Sequence, residues 1–235
     1  MSNSSHHMFG EHFLRINPFK IPVGVVAHPD RKDMALDLVE KVGAEAISWD
    51  EYGRGSGWNH LRMLTWMKDS DKEWSVILED DSVPVPQFRQ QLEMALNWAP
   101  SPFVGLYVGR GRPPHWQTGI SAVMAKNVCW LTCDTLMNAV GYAVKTKLIP
   151  AIIHSLEKTW MVKPNLPVDE ALSYWGQSYH IPFCYTRPSL IDHRDVTPVE
   201  KHSYGTPTEK RVAWLFGERD VWNGSTTSLD YVESW

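Results

Sequence analysis

The stretch that decides the fold is Val76-Ile77-Leu78-Glu79-Asp80-Asp81-Ser82. Its apolar half, together with Trp74 and Ser75 just before it, is typical of a strand buried in a covered sheet. Pro84 and Pro86 follow within a few residues, and proline cannot continue the hydrogen-bonded ladder of a central strand. We therefore expect the three acids at the carboxyl end of a strand, which is where open α/β sheets bind ligands.

Three adjacent carboxylates at a strand end repel one another, and burying even one of them unpaired is costly. A cation is the natural partner for such a cluster, and hard oxygen ligands select Mg²⁺ or Mn²⁺. Two plainer interpretations stay open at this point. The acids can form a solvated turn, or they can stabilise the amino end of the helix expected to begin near Gln87.

A strand, a helix and a second strand are predicted ahead of this stretch. Residues 22–27 suit a strand, apolar residues recur at helical spacing over residues 34–42, and residues 45–49 suit a second strand. Gly43 is expected to end the helix. Such a unit implies two parallel strands joined by a right-handed crossover. The loop after each strand would then lie at the same sheet edge as the acids.

Several side chains in those loops suit a ligand that carries phosphate and ribose. Asp50 follows the second strand and can accept hydrogen bonds from a ribose or a base edge, although a turn or cap role is commoner for such a residue. Arg31 follows the first strand and is equally compatible with a surface role. A glycine-rich loop over residues 52–60 then opens a helix, and Arg54 or Arg62 can meet a phosphate there. The loop has neither Walker nor Rossmann spacing, so its glycines are a weak signal.

A long polar loop follows the strand predicted over residues 103–108. It carries Arg110, Arg112, His115 and Trp116, which are suited to grip an acceptor or a pyrophosphate. A flexible lid is an equally fair interpretation of this loop.

The later part of the chain adds two acids and a histidine. A strand over residues 140–144 and a helix over residues 148–156 are predicted first. Asp169 and Glu170 then fall in the first turn of another helix, where acids stabilise the helix dipole. Either acid can instead be a general base beside an acceptor. A lone histidine such as His193 is more often a hydrogen-bonded structural group than a ligand.

The composition suits one cytoplasmic domain. The chain has 235 residues, of which 43% are hydrophobic, and this is enough for a sizeable core. A net charge of −4 without a Lys/Arg run excludes a broad electrostatic footprint for nucleic acid. Three cysteines without zinc-ligand spacing favour reduced thiols in a cytoplasmic setting. No stretch approaches the roughly 20 apolar residues of a membrane span.

Taken together, these segments resemble glycosyltransferases of the GT-A superfamily. The likeness is greatest to the small family 25-like, lipooligosaccharide-type enzymes, whose hallmark is a strand that ends in Glu-Asp-Asp. The compact, Trp-rich form resembles versions carried by bacterial viruses, and the likeness spans about residues 21 to 200. The motifs that carry it are Leu78-Glu79-Asp80-Asp81 with Pro84 and Phe88, Trp58-Asn59-His60 with Leu61 and Leu64, Gly141-Tyr142, Pro167-Val168-Asp169, and Pro188-Ser189-Leu190-Ile191-Asp192-His193.

The resemblance implies an α/β fold of the GT-A type, which is Rossmann-like and has a central, mostly parallel sheet flanked by helices. We predict a flexible N-terminal end over residues 1–17 and a GT-A catalytic domain over residues 18–200. A C-terminal extension over residues 201–235 is expected to pack on that domain and to cover the site. A virus-encoded version would act in the cytoplasm of its host cell.

The activity that the resemblance implies is metal-dependent transfer of a sugar from a nucleotide-diphosphate donor, expected to be UDP-linked. The acceptor would be a hydroxyl on a glycan, a protein or a modified nucleobase. Asp81 and His193 would hold Mn²⁺ or Mg²⁺, and Glu79 departs conservatively from the usual Asp-x-Asp triplet. Asp169 would deprotonate the acceptor in an inverting transfer, with Glu170 as the second candidate. The residues expected to bind the donor are Ala27, His28, Arg31, Asp50, Asn59, Arg62, Glu79 and Asp80.

Three alternatives stay open. A phage enzyme that glycosylates hydroxymethylated pyrimidines in DNA would need a concentrated basic groove, which Arg54, Arg62, Arg110 and Arg112 only hint at. A protein of this fold that binds a nucleotide or a glycan without turnover would not require all of the acids and the histidine. A metal-dependent nucleotidyltransferase would be favoured by a glycine-rich triphosphate loop after the first strand, and residues 28–31 do not form one.

Overall fold

The computed structural model describes residues 21–196, 199 and 210–229. Within these residues the chain forms ten strands and six α-helices. The flexible end predicted over residues 1–17 lies outside the described residues, as does much of the predicted extension over residues 201–235. The domain boundaries therefore stay predictions.

Strands and helices alternate through the first half of the chain. The strands are β1 (Val23–Ala27), β2 (Ala46–Trp49), β3 (Trp74–Glu79), β4 (Ser82–Pro84), β5 (Phe103–Gly105), β6 (Trp130–Cys133), β7 (Gly141–Lys145), β8 (Phe183–Thr186), β9 (Ile191–His193) and β10 (Thr226–Ser228). The helices are α1 (Lys32–Val42), α2 (Ser56–Met67), α3 (Phe88–Leu96), α4 (Gln117–Met124), α5 (Ile149–Val162) and α6 (Val168–Ser178).

Eight of these strands form one sheet in the order β10-β6-β8-β5-β7-β3-β1-β2. Their pairings make β1, β2, β3, β5 and β8 run in one direction, whereas β6, β7 and β10 run in the other. The predicted fold class is confirmed: an α/β domain with a large, mostly parallel central sheet flanked by helices, an arrangement consistent with a GT-A-like fold. Strands β4 and β9 pair separately as a small antiparallel sheet.

Helices cover both faces of the sheet, which explains why the sequence of β3 is apolar without interruption. Ile77 packs in one core layer with residues of α2, α5 and α6. Val76 and Leu78 point the other way, into a layer shared with α1 and α3. Because side chains alternate along a strand, Glu79 and Asp80 leave the end of β3 on opposite faces.

Two predicted boundaries illustrate what local sequence controls. Helix α1 ends at Gly43, whose φ of 58° is the left-handed C-cap conformation that glycine adopts readily. The strand expected over residues 103–108 is shorter than predicted, since β5 ends at Gly105. Beyond that point the amide of Leu106 still donates to the carbonyl of Gly141 in β7, whereas its own carbonyl accepts from Leu190 and Ile191.

The described part of the late chain packs against the domain. Strand β10 lies parallel to β6 at the edge of the sheet. The backbone amide of Trp214 donates to the carbonyl of Val108, and the indole N–H of Trp222 donates to Gln91. Among the described residues, no helix is long and apolar enough to cross a membrane.

Candidate functional site

The polar residues predicted to follow strands β1, β2 and β3 lie at one edge of the sheet. The carboxyl ends of the parallel strands β1, β2 and β3 lie side by side there. The antiparallel pair β4–β9 adds a residue from much later in the chain, because Ser82 pairs with His193. Asp81 therefore meets His193 there, beside Arg31 and Asp80, while Asp50 and Glu79 lie along the same edge with other partners. No local signal in the sequence predicts that β9 returns to this edge.

Arg31 links the two aspartates of the triplet. Its Nη1 atom lies 3.0 Å from Oδ1 of Asp80 and 2.5 Å from Oδ2 of Asp81. The side chains of Asp80 and Asp81 are each only 6% exposed, so this contact is largely screened from water. The backbone N–H of His28 also donates to Oδ2 of Asp80, over 2.8 Å. Both loop residues predicted to bind the donor thus contact the acids.

Asp81 has a second cationic or hydrogen-bonding neighbour in His193. The Nε2 atom of His193 lies 3.4 Å from Oδ2 of Asp81. Burial raises the pKa of Asp81, but His193 and Arg31 together outweigh that effect and hold the pKa below its usual range. Asp80 behaves differently, because burial raises its pKa above the usual range despite hydrogen bonds from His28 and Arg31.

Glu79 lies on the other face of the sheet, away from the two aspartates. Its Oε1 atom is 3.3 Å from Nε2 of His60, and Nδ1 of His60 is 3.1 Å from the hydroxyl of Tyr142. The three acids that the sequence analysis grouped around one cation are therefore divided between two partners. This division relieves their mutual repulsion, since Asp80 and Asp81 share Arg31 while Glu79 faces His60.

Asp169 lies in the first turn of α6, on the same side of the sheet as Glu79. Burial raises the pKa of Asp169 to about 7, and the negative charge of Glu79 adds to this rise. Its Oδ1 atom accepts from the backbone N–H of Glu170, as expected for a residue in a helix's first turn. A carboxyl group with a pKa near neutrality is suited to accept a proton from an acceptor hydroxyl.

Asp50 caps the glycine-rich loop. Its two carboxylate oxygens accept from the backbone N–H groups of Arg54 and Gly55, each over 2.8 Å. This is the plainer of the two roles considered from sequence, and contact with a ribose or a base stays a prediction. Above the loop, the guanidinium groups of Arg54 and Arg62 lie 4.8 and 5.5 Å from the ring centre of Trp58.

Two further residues predicted to bind the donor have structural contacts. Asn59 is buried, and its side-chain amide donates to the carbonyls of Ala27 and Ser48, which ties α2 to the ends of β1 and β2. Arg62 donates to the carbonyl of Trp49 over 3.3 Å. These contacts join α2 to the strands at this edge of the sheet. Direct contact of either side chain with a donor stays a prediction.

The predicted acceptor loop is spread over two places. The guanidinium of Arg110 lies 4.8 Å from the ring centre of Trp214, so it packs against the late segment of the chain. Arg112 is partly buried, and His115 lies beside Trp116 with ring centres 6.2 Å apart. Trp116 itself is buried and borders a side cavity together with Cys133 and Leu229. An acceptor or lid role for these residues stays a prediction.

Asp81 and His193 provide a partial fit to the Mn²⁺ or Mg²⁺ that the resemblance implies. Oδ1 of Asp81 and Nδ1 of His193 are both buried, and neither has a hydrogen-bond partner among the described residues. The described residues bring no group of three His, Cys, Asp or Glu side chains together as metal ligands. Because Nε2 of His193 faces Asp81, its Nδ1 points away from that carboxylate, and the fit is partial. A metal held by Asp81 would draw most of its other ligands from water and a substrate diphosphate, as Mg²⁺ often does.

Sequence reasoning missed two members of the site, His60 and Tyr142. Both belong to segments that carried the family resemblance, Trp58-Asn59-His60 and Gly141-Tyr142. Neither side chain was singled out, because a histidine within a helix and a tyrosine within a buried strand are ordinary core residues. The pairing of β3 with β7 brings Tyr142 to this place, and the packing of α2 on the same face of the sheet brings His60.

Comparison with known proteins adds distant structural likenesses, of which two are described here. No protein-family model matches this chain, and no curated protein matches it. The structure of the protein A197 from STIV superimposes with a TM-score of 0.43 at 11% identity, over 78% of this chain and 100% of that one. A glycosyltransferase involved in the glycosylation of the major capsid of PBCV-1 superimposes with a TM-score of 0.37 at 11% identity, over 75% of this chain and 96% of that one. At such distances neither likeness decides the activity, so the functional argument rests on the geometry of the site.

Proposed function

We propose that this protein is a glycosyltransferase that moves a sugar from a nucleotide-diphosphate donor to an acceptor hydroxyl. The observation that carries the proposal is the pair of polar groups at one edge of the sheet. One group combines Asp80, Asp81, Arg31 and His193, and the other places Asp169, with a pKa of about 7, near Glu79. With a divalent metal bound, the first would suit an anionic leaving group, and the second suits the acceptor.

Asp169 is the proposed general base. In the transfer, the acceptor oxygen bonds to the anomeric carbon while the bond from that carbon to the diphosphate breaks, and the diphosphate keeps the electron pair. The acceptor proton passes to the ionised carboxylate of Asp169. Because the pKa of Asp169 is about 7, the base is ionised above neutral pH, and the rate should rise as the pH passes through that value.

Arg31 is the proposed contact for the donor diphosphate. Its guanidinium already carries the positive charge between the two aspartates, and a planar guanidinium suits bidentate contact with phosphate oxygens. The backbone amides of the capped loop at Arg54 and Gly55 border the same edge. When bound, Mn²⁺ or Mg²⁺ would supply Lewis-acid stabilisation of the leaving group, and Asp81 and His193 are the residues that would hold it.

A thermal-shift panel tests the donor half of this proposal. UDP, GDP, ADP, CDP and dTDP, and sugar nucleotides of each, are added with Mn²⁺ or with a chelator. A ligand present at about 100 times its Kd stabilises the native state by about 2.7 kcal/mol, which raises the melting temperature of a domain of this size by several degrees. We expect one nucleotide to give such a shift with Mn²⁺ and the shift to disappear in Asp81→Asn.

Glu45→Gln is the matched control for Asp81→Asn. Glu45 also pairs with a largely buried arginine, Arg89, but it does so away from the proposed site. The control should lose some stability and still respond to the nucleotide with Mn²⁺. If Asp81→Asn binds the nucleotide as tightly as the wild-type protein does, the metal assignment is wrong.

Turnover tests the acceptor half. The donor identified by the panel is incubated with glycans, glycosylated peptides and DNA that contains hydroxymethylated pyrimidines, and release of the nucleotide diphosphate is followed. Asp169→Asn should lower kcat by about 10²- to 10⁴-fold with little change in donor affinity. Unchanged turnover in that variant would rule out Asp169 as the base. A donor that binds but is never transferred would favour a non-catalytic binding protein.

A further inference from the structure

A chain of three hydrogen-bonding side chains runs from the core to the acceptor side of the site. Tyr142 and His60 are fully buried, and their rings stack with centres 5.7 Å apart. Each nitrogen of His60 has one partner, the Tyr142 hydroxyl at 3.1 Å and the Glu79 carboxylate at 3.3 Å. Of the three side chains, Glu79 is the one that reaches the edge of the sheet, where it is 27% exposed.

The chemistry of the three groups sets the direction of the hydrogen bonds. Burial raises the pKa of Tyr142 well above its ordinary value, so its hydroxyl stays protonated and can donate to Nδ1 of His60. The imidazole then carries its proton on Nε2 and donates to the carboxylate of Glu79. This arrangement satisfies both nitrogens of a histidine that has no access to water.

We propose that His60, held by Tyr142, is a positioning residue that fixes the carboxylate of Glu79 on the face of the sheet that carries α6 and Asp169, the acceptor side of the site. In this role Glu79 does not serve the leaving group, although it is the first acid of the Glu-Asp-Asp triplet. It instead acts on the acid that takes the acceptor proton. The inference deepens the proposed transferase function and rests on it for the part that concerns turnover.

The charged groups that act on Asp169 support this assignment. Two carboxylates raise its pKa through their negative charge, Glu79 on β3 and Glu170 beside it on α6. Glu170 follows Asp169 directly along the chain, whereas Glu79 lies on β3, where His60 of α2 contacts its carboxylate and Tyr142 of β7 contacts His60. A like charge held nearby keeps the proton on Asp169 to a higher pH, as in other carboxylate pairs.

A purely structural role explains the hydrogen bonds among Tyr142, His60 and Glu79 less well than a positioning role does. Three apolar side chains of similar shape would fill the same space without the cost of burying polar groups, and such replacements are often neutral or stabilising. A surface acid that only caps a turn would need no buried histidine as a partner. The polar chain therefore suits a site that needs one carboxylate held in one orientation.

The titration of Asp169 tests the inference without any assumption about turnover. The protein is labelled with [4-¹³C]aspartate, and the Asp169 signal is assigned by its loss in Asp169→Asn. We expect a midpoint near 7 in the wild-type protein and a shift to lower pH in Glu79→Gln, because the like charge is removed. Tyr142→Phe should shift it in the same direction by a smaller amount, since Glu79 keeps its charge but loses its fixed orientation.

Tyr142→Phe is preferred to a His60 variant because its ring keeps the stacking with Phe103, whose centre lies 5.1 Å away. Tyr185→Phe is the matched control, since it also removes a buried hydroxyl from the same sheet, one that donates to the carbonyl of Thr135 over 2.6 Å. The control should lose stability and leave the Asp169 midpoint unchanged. An unchanged midpoint in both Glu79→Gln and Tyr142→Phe would overturn the inference.

Turnover separates this inference from the proposed function. With an identified donor and acceptor, Tyr142→Phe should lower kcat about fivefold, the factor equivalent to one hydrogen bond of about 1 kcal/mol, and leave donor KM unchanged. The acid limb of its pH profile should move to lower pH with the Asp169 midpoint. If the midpoints shift as expected but no donor supports transfer, the proposed function fails and the positioning role stands.

Discussion

The Nη1 atom of Arg31 lies 2.5 Å from Oδ2 of Asp81, in a contact that is almost fully shielded from solvent. The same nitrogen reaches Asp80, so one positive charge serves two buried carboxylates. One cation cannot neutralise both acids, and the remaining negative charge is where a divalent metal would add most. A metal held by Asp81, as proposed, would compete with Arg31 for that carboxylate, and this competition can be measured.

Arg31→Ala should destabilise the protein and increase its response to Mn²⁺. Removing one partner of a buried ion pair costs about 3–5 kcal/mol, because the carboxylates lose their only bonded guanidinium among the described contacts. Added Mn²⁺ should recover part of this loss, giving a larger rise in melting temperature than in the wild-type protein. Thermal unfolding with Mn²⁺ and with a chelator measures both effects.

Arg89→Ala is the control for that experiment. Arg89 is as buried as Arg31 and pairs with Glu45, and it also donates to backbone carbonyls at Ile21, Val42 and Gly43. Its loss should lower the melting temperature without any recovery by Mn²⁺. Equal recovery in both variants would mean that Mn²⁺ acts on the whole protein and not on Asp80 and Asp81.

Asp169→Asn should stabilise the protein at neutral and alkaline pH. The pKa of Asp169 is raised to about 7 in the folded protein, from an unfolded value of 3.8, so the folded state holds the proton more tightly. The wild-type protein therefore loses stability as the pH rises from about 4 to 7, a loss that the asparagine variant avoids. Its melting temperature should match the wild-type value near pH 4 and exceed it by a few degrees above pH 7. A difference that is the same at every pH would contradict the raised pKa.

Asp50→Ala should loosen the glycine-rich loop. Both carboxylate oxygens accept backbone N–H groups at the start of α2, and losing a cap of this kind costs about 0.5–2 kcal/mol. Urea denaturation should show the full loss in Asp50→Ala and a smaller one in Asp50→Asn, which keeps one acceptor. Equal stability of the two variants would contradict this prediction, because it would show that the acceptor kept in Asp50→Asn does not stabilise the loop.

Asp192→Ala should release the described late segment near Ala213. Oδ1 of Asp192 accepts from the backbone N–H of His193 over 2.8 Å and from that of Ala213 over 2.6 Å. Without this acceptor, the Ala213 amide should exchange its hydrogen faster and the segment should be cut sooner by protease. Asp195→Ala is the control, because its contact with the Arg211 amide is longer, at 3.4 Å. Protection at Ala213 that survives in Asp192→Ala would show that other contacts hold the segment.

The sequence by itself determined the elements whose signals are local. Proline and charge bounded β3, glycine ended α1 at Gly43, and Pro167 preceded α6. The position of the acids at a strand end followed from the same local signals, because a buried parallel strand must be apolar throughout and must stop where charge begins. The order of these elements predicted one parallel strand–helix–strand unit, and the fold class itself was predicted from the resemblance to GT-A enzymes.

Only the tertiary structure decided which partners those acids meet. Strands β6, β8, β9 and β10 were not predicted, since each has three or four residues and is stabilised by pairing with distant parts of the chain. The pairing of Ser82 with His193 and of Ile77 with Tyr142 joins segments more than sixty residues apart. Side chains alternate between the two faces of a strand, and this separates Glu79 from Asp80. The residues that contact the two acids, His60 and Arg31, come from other parts of the chain. Local sequence sets where a carboxylate leaves its strand, whereas long-range packing sets the guanidinium or imidazole that it meets.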